Sequence, residues 1–113
     1  MVYTGTDFAH DISLAMQKAG DDARGLTADA VRRACSSPTL LDGYEDEMAA
    51  HLEFHLLQTP EAAIKVFALK PEHGLGVAHD HAGLWGCYAS HHGSYWMETY
   101  RLVGPDGTDL EVI

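Results

Sequence analysis

Two hydrophobic periods divide this chain. Over residues 1–50, apolar side chains recur at helical spacing: Phe8, Ile12, Leu14 and Ala15 mark a first amphipathic helix, which Gly20 closes. Thr27, followed by Asp29 in the first turn, opens a second helix over TADAVRRACS, residues 27–36. Ser36-Ser37-Pro38 ends it, because the residue before a proline avoids helical geometry. A third helical stretch covers about 40–50 and exposes Glu45, Asp46 and Glu47 on a solvated face.

From residue 51 the period drops to two. In HLEFHLLQ (51–58), Leu52, Phe54 and Leu56 alternate with His51, Glu53 and His55, the pattern of a strand with one buried face. Thr59-Pro60-Glu61 is a turn, and the β-branched, apolar AAIKVFAL (62–69) reads as a second strand, largely buried. Residues 71–76 form a glycine loop that leads into GVAHDH. LWGCYAS (84–90) and YWMETYRL (95–102) flank His91-His92-Gly93-Ser94 and read as a hairpin. In that register Cys87 faces Glu98, Trp85 faces Tyr100 and Gly86 faces Thr99. Gly104-Pro105-Asp106-Gly107 is a turn before a last strand, TDLEVI. The expected layout is mainly β with a helical N-terminal segment, 1–50, then five or six short strands over 51–113 in a single domain.

Composition narrows the partners. Seventeen acidic against seven basic residues give a net charge of −10, with no clustered basic face for phosphate, so nucleic acid is excluded as a partner. No run reaches the roughly 18–20 apolar residues of a membrane span, and the N-terminus lacks a secretory signal. Cys35 and Cys87 lie in segments of different character and are expected as reduced thiols in a cytoplasmic protein.

His79 and His81 are the main candidates for chemistry. On a strand, residues i and i+2 share a face with Cα atoms roughly 6.5–7 Å apart, so both imidazoles can aim at one point while Asp80 faces away. Imidazole suits Fe, Zn, Cu, Ni and Mn alike. Two polar residues decorating a strand would leave the same pair of letters.

The surroundings of the pair carry a family resemblance. His79-Asp80-His81 is followed by Ala82-Gly83-Leu84-Trp85, then Gly86, six further residues and Gly93. This resembles the first signature of the cupin superfamily, with Gly86 where a glutamate ligand stands in most members. The glycine, the HDHAGLWG and METYRL runs, and the loop LKPEHGLGVAHDH resemble the cysteine-type (thiol) dioxygenase branch, over about residues 52–102. The resemblance implies a cupin-type double-stranded β-helix, or jelly-roll, of which 51–113 is the first part, incomplete at the C-terminus. It implies a metal held by His79 and His81, Fe(II) or another divalent transition metal, with O₂ oxidising a small thiol substrate to a sulfinate.

The branch takes a third histidine from a later motif, and none follows before Ile113. The chain is therefore expected to be a fragment, or to complete its barrel by homo-oligomerisation. Cys87 lies one residue out of phase for a Cys–Tyr crosslink, and LEFHLLQ lacks the arginine that would hold a cysteine carboxylate. Arg101 reads as a solvent-exposed strand end, and His91 and His92 as turn residues. His51 and His55, opposite Leu52, Phe54 and Leu56, fit either a pocket lining or a half-exposed strand face; His73 reads as an exposed loop residue, Glu98 as a surface cross-strand residue, and Trp85, Trp96 and Tyr100 as packing. The second functional reading is a non-catalytic, cupin-like half-domain serving as a metal-binding, ligand-binding or oligomerisation module.

Overall fold

The computed structural model describes residues 2–18, 20–68, 84–93, 100–105, 107 and 109–112. Helix α1, Gly5–Ala15, starts at a capping box. The Asp7 amide donates to Thr4 Oγ1 at 3.3 Å, and the Thr4 amide donates to the Asp7 carboxylate at 3.0 Å. Two otherwise orphaned donors are thereby satisfied. Phe8, Ile12 and Ala15 form the buried stripe, while Leu14 is exposed.

Helix α2, Gly20–Cys35, begins seven residues earlier than the Thr27 start that the sequence suggests. Gly20 opens α2 rather than closing α1, and its φ of +60° is the left-handed conformation that lets the chain reverse there. Thr27 is an interior residue of the buried stripe Ala23, Thr27, Ala30 and Ala34. That stripe is nearly all alanine, so α1 approaches closely and sets Phe8 and Ile12 against it. The helices are antiparallel: Tyr3, just before α1, meets Ser37, just after α2, and Asp11 meets Arg33.

Pro38 stops α2 as expected, and a run of turns carries Leu40 into the core before α3, Glu45–Ala50. Three acids in its first turn complement the helix dipole, and none of its residues is buried. Tyr44, at its start, stacks on Phe54 with ring centroids 5.7 Å apart.

Strands β1, Glu53–Gln58, and β2, Ala63–Phe67, pair antiparallel around a turn closed by the Thr59 amide on the Ala62 carbonyl at 2.8 Å. The register shifts between His55 and Leu57, which makes Leu56 the extra residue of a bulge. Leu56 and Leu57 therefore both reach the helices, with Ile64 and Ala62 beside them. β2 is not the largely buried strand expected: Ala63, Lys65 and Phe67 face solvent. Strands β3, Tyr100–Val103, and β4, Asp109–Val112, form a second hairpin around Gly104, whose φ is +93°.

The expected jelly-roll is not what forms. Among the described residues the strands make two separate two-stranded antiparallel sheets, and residues 84–90 hold no strand at all. Every buried apolar residue described lies between Phe8 and Leu40. Alternation specifies a half-buried ribbon but not what buries it, and here β1–β2 lies on helices instead of on a second sheet.

Two substitutions probe this core. A Cβ at Gly5 would sit 3.0 Å from the Tyr44 ring and 3.1 Å from the Leu40 carbonyl. Gly5→Ala is therefore expected to lower unfolding free energy by about 1–3 kcal/mol in urea titrations. Thr27 is 7% exposed, and its Oγ1 has no hydrogen-bond partner among the described residues. Thr27→Val, which removes the hydroxyl at constant shape, is expected to raise the unfolding free energy by about 1 kcal/mol, seen as a higher urea midpoint.

Candidate functional site

The segment 84–93, which follows directly on the histidine motif, lies against α2. His91 places Nε2 2.7 Å from the Ser37 carbonyl oxygen, so that nitrogen carries the proton and donates. At the other end the Arg24 guanidinium sits over the Trp85 ring, 5.8 Å from its centroid. Residues 84–90 are exposed, Leu84 at 77%. Between the anchors, Gly86 lies under Tyr88: a Cβ there would be 3.2 Å from the tyrosine ring.

Several sequence expectations change here. With no strand over 84–90, the shared strand face of Gly86, Tyr88 and Arg101 does not form. Trp85 is surface-exposed at 44% and stacks with a cation rather than filling a core. His91 is an anchor, not a plain turn residue, and the sequence carries no signal for a bond to a carbonyl 54 positions away. His51 and His55 are exposed, which fits the solvent-facing alternative, and His92 is exposed. Arg101 also stays at the surface, paired with Glu111 at 2.8 Å across β3–β4. The motif histidines His79 and His81, with His73, Trp96 and Glu98, lie outside the described residues. Among those described, no group of three or more His, Cys, Asp or Glu side chains could hold a metal ion.

A polar cluster joins the two long helices. The Tyr3 hydroxyl donates to Asp11 at 2.7 Å, and Arg33 donates to the same carboxylate oxygen at 3.0 Å while its guanidinium lies 5.7 Å from the Tyr3 ring centroid. The Tyr3 carbonyl accepts from Ser37 Oγ at 2.6 Å and Thr39 Oγ1 at 3.2 Å. Burial and the bond to Asp11 push the Tyr3 hydroxyl up to about 12. The Tyr3 hydrogen bond, with Arg33 beside it, lowers the Asp11 carboxyl. Shifted groups often mark active sites, but each member here is engaged in joining α1 to α2.

A separate cleft of about 290 Å³ lies between the end of α1 and the β1–β2 turn, lined by Ser13, Met16, Gln17, Thr59, Glu61 and Ala62. Its one carboxylate, with no imidazole or thiol, does not make a metal site or a nucleophile–base pair. No family model, curated protein or solved structure matches the chain.

The polar cluster sets a pH dependence with a definite sign. Asp11 is lowered in the folded state, so its stabilisation is present above the ordinary value of 3.8 and is lost as pH falls through the lower, folded value. Acid unfolding should therefore move to higher pH in Asp11→Asn. Tyr3, raised, stabilises below pH 10 and loses that contribution toward about 12. Phenolate absorbance should show a late ionisation step for Tyr3, and Tyr3→Phe should abolish it.

Proposed function

We propose that the chain binds a divalent transition metal, Fe(II) foremost, through His79 and His81, and with O₂ oxidises a small thiol. The observation that carries this reading is the spacing His79-Asp80-His81, Trp85-Gly86, Gly93, with METYRL after it. Its resemblance to thiol dioxygenases supplies the reaction class. The donor chemistry fits: two neutral imidazoles suit borderline divalent ions, and a glycine at 86 adds no carboxylate. When bound, such an ion offers vacant positions to a small molecule and to O₂. Such a thiol oxygenase fits the reducing cytoplasm, where small thiols are abundant.

The protein's own part concerns what surrounds the motif. Leu84 and Trp85, three and four residues after His81 in sequence, expose apolar surface, and Arg24 and Ser37 contact Trp85 and His91 of that stretch. A net charge of −10 favours cationic metal and disfavours anionic substrates.

The second reading, a non-catalytic module that binds a metal, a ligand or another copy of the chain, is favoured by the exposure of Leu84, Trp85 and Tyr88 on one short stretch.

Metal analysis of the purified chain beside a His79→Ala/His81→Ala variant separates these outcomes. About one bound ion per chain, lost in the variant, is the expected result; equal, negligible metal in both overturns the metal site. With metal bound, oxygen uptake on a panel of small thiols supports the oxygenase. Its absence leaves the binding module.

A further inference from the structure

The cleft between the end of α1 and the β1–β2 turn has walls of one electrical sign. Ser13, Met16 and Gln17, at the C-terminal end of α1, form one wall. Aligned peptide dipoles leave that end of a helix partly negative, and cations are stabilised there. The last turn of α1 contains no basic residue to answer that charge. The helix also tightens as it ends: the Gln17 amide donates to the Leu14 carbonyl and the Lys18 amide to the Ala15 carbonyl, both at 3.1 Å. In a regular α-helix the Gln17 amide would take the Ser13 carbonyl instead. That carbonyl is thereby left to a donor from outside the helix, at a residue that lines the cleft.

The other wall, the β1–β2 turn, carries a carboxylate on a fixed backbone. Pro60 sets one torsion of the turn, the Thr59 amide donates to the Ala62 carbonyl at 2.8 Å, and the Ala62 amide donates to Thr59 Oγ1 at 3.1 Å. Glu61, inside that closed turn, is exposed and forms no ion pair among the described residues. Among the described residues, no lysine, arginine or histidine lines the cleft. Met16 and Ala62, both half-buried, supply its apolar part. We propose that this cleft binds a small aliphatic amine in its protonated form, with the ammonium between Glu61 and the end of α1 and the alkyl chain against Met16 and Ala62. An ammonium donates three hydrogen bonds and accepts none. The Glu61 carboxylate, the Ser13 hydroxyl and the Gln17 amide oxygen all accept. A bare divalent cation asks for more oxygen donors of full charge than one carboxylate, and an anion would be repelled by Glu61 and the helix end alike. A volume of about 290 Å³ is at the small end for a ligand site, which limits the chain to a few carbons. The net charge of −10 raises the local concentration of such cations.

The test titrates the full, nitrogen-15-labelled chain with n-butylammonium chloride and follows its amide resonances. The amides of Ser13, Gln17, Glu61 and Ala62 are expected to shift together and to saturate with a Kd of about 1–10 mM. Glu61→Gln, at an exposed turn position, should raise that Kd about threefold to fivefold, the worth of an exposed charge pair, with the rest of the spectrum unchanged. 1-Butanol, of the same chain length but uncharged, should bind at least about threefold more weakly than the ammonium. Shifts that never saturate, shifts reproduced by sodium chloride, shifts led by the acids of α3, an equal Kd in Glu61→Gln, or equal binding of 1-butanol would overturn the proposal.

Discussion

The close contact between α1 and α2 is the interaction on which the other elements depend. Phe8 and Ile12 meet Ala30 and Ala34, and Leu40 closes the cluster from the turn beyond α2. Each large side chain buried this way is worth about 1.5–3 kcal/mol, and only the small residues of α2 permit the approach. The later elements borrow this surface. β1 and β2 add Leu56, Leu57 and Ile64 to its rim, and neither strand has a fully buried residue of its own. A two-stranded ribbon is marginal alone, so β1–β2 depends on the helices beneath it.

Electrostatics align what packing brings together. Tyr3 engages α1 through Asp11, the end of α2 through Ser37, and the turn after it through Thr39, using one hydroxyl and one carbonyl. Arg33 completes the cluster, but its side chain is 53% exposed, so the ion pair itself adds little, about 0–1 kcal/mol. The larger contribution comes from satisfying polar groups at a helix junction that would otherwise be buried without partners. Arg24 and His91 extend this pattern to the segment after the histidine motif. That segment is irregular along its length, yet polar contacts near its two ends set its path along α2.

Much of the local structure was legible from side-chain order. The stop of α2 at Ser37-Pro38, the alternation of β1, the turn at Thr59-Pro60 and the hairpin about Gly104 all follow from rules that act within a few residues. The start of α2 was not legible, because Thr27 and Asp29 mimic a helix cap and only the burial of Thr27 in the stripe with Ala23, Ala30 and Ala34 reveals it as interior. Of the expected β1 face, Phe54 and Leu56 are half-buried but Leu52 is exposed ahead of the strand, and the bulge was not legible, since a one-residue register shift leaves no mark on apolar letters. LWGCYAS, residues 84–90, is irregular although its side chains favour a strand. Of the candidate site, the sequence displayed the histidine pair and its spacing, while the contacts of Trp85 and His91 join positions 61 and 54 apart and had no local signature.

The sequence by itself determined which stretches wind or extend, where they stop, the acidic surface, and which residues carry candidate chemistry. These properties are set by neighbours a few positions apart. Tertiary structure alone decided that the buried apolar residues among those described gather on α1, α2 and the turn after them instead of inside a barrel, because burial is a property of pairs brought together across the chain. It also decided that Trp85 meets Arg24 and His91 meets the Ser37 carbonyl, contacts between positions far apart in the chain.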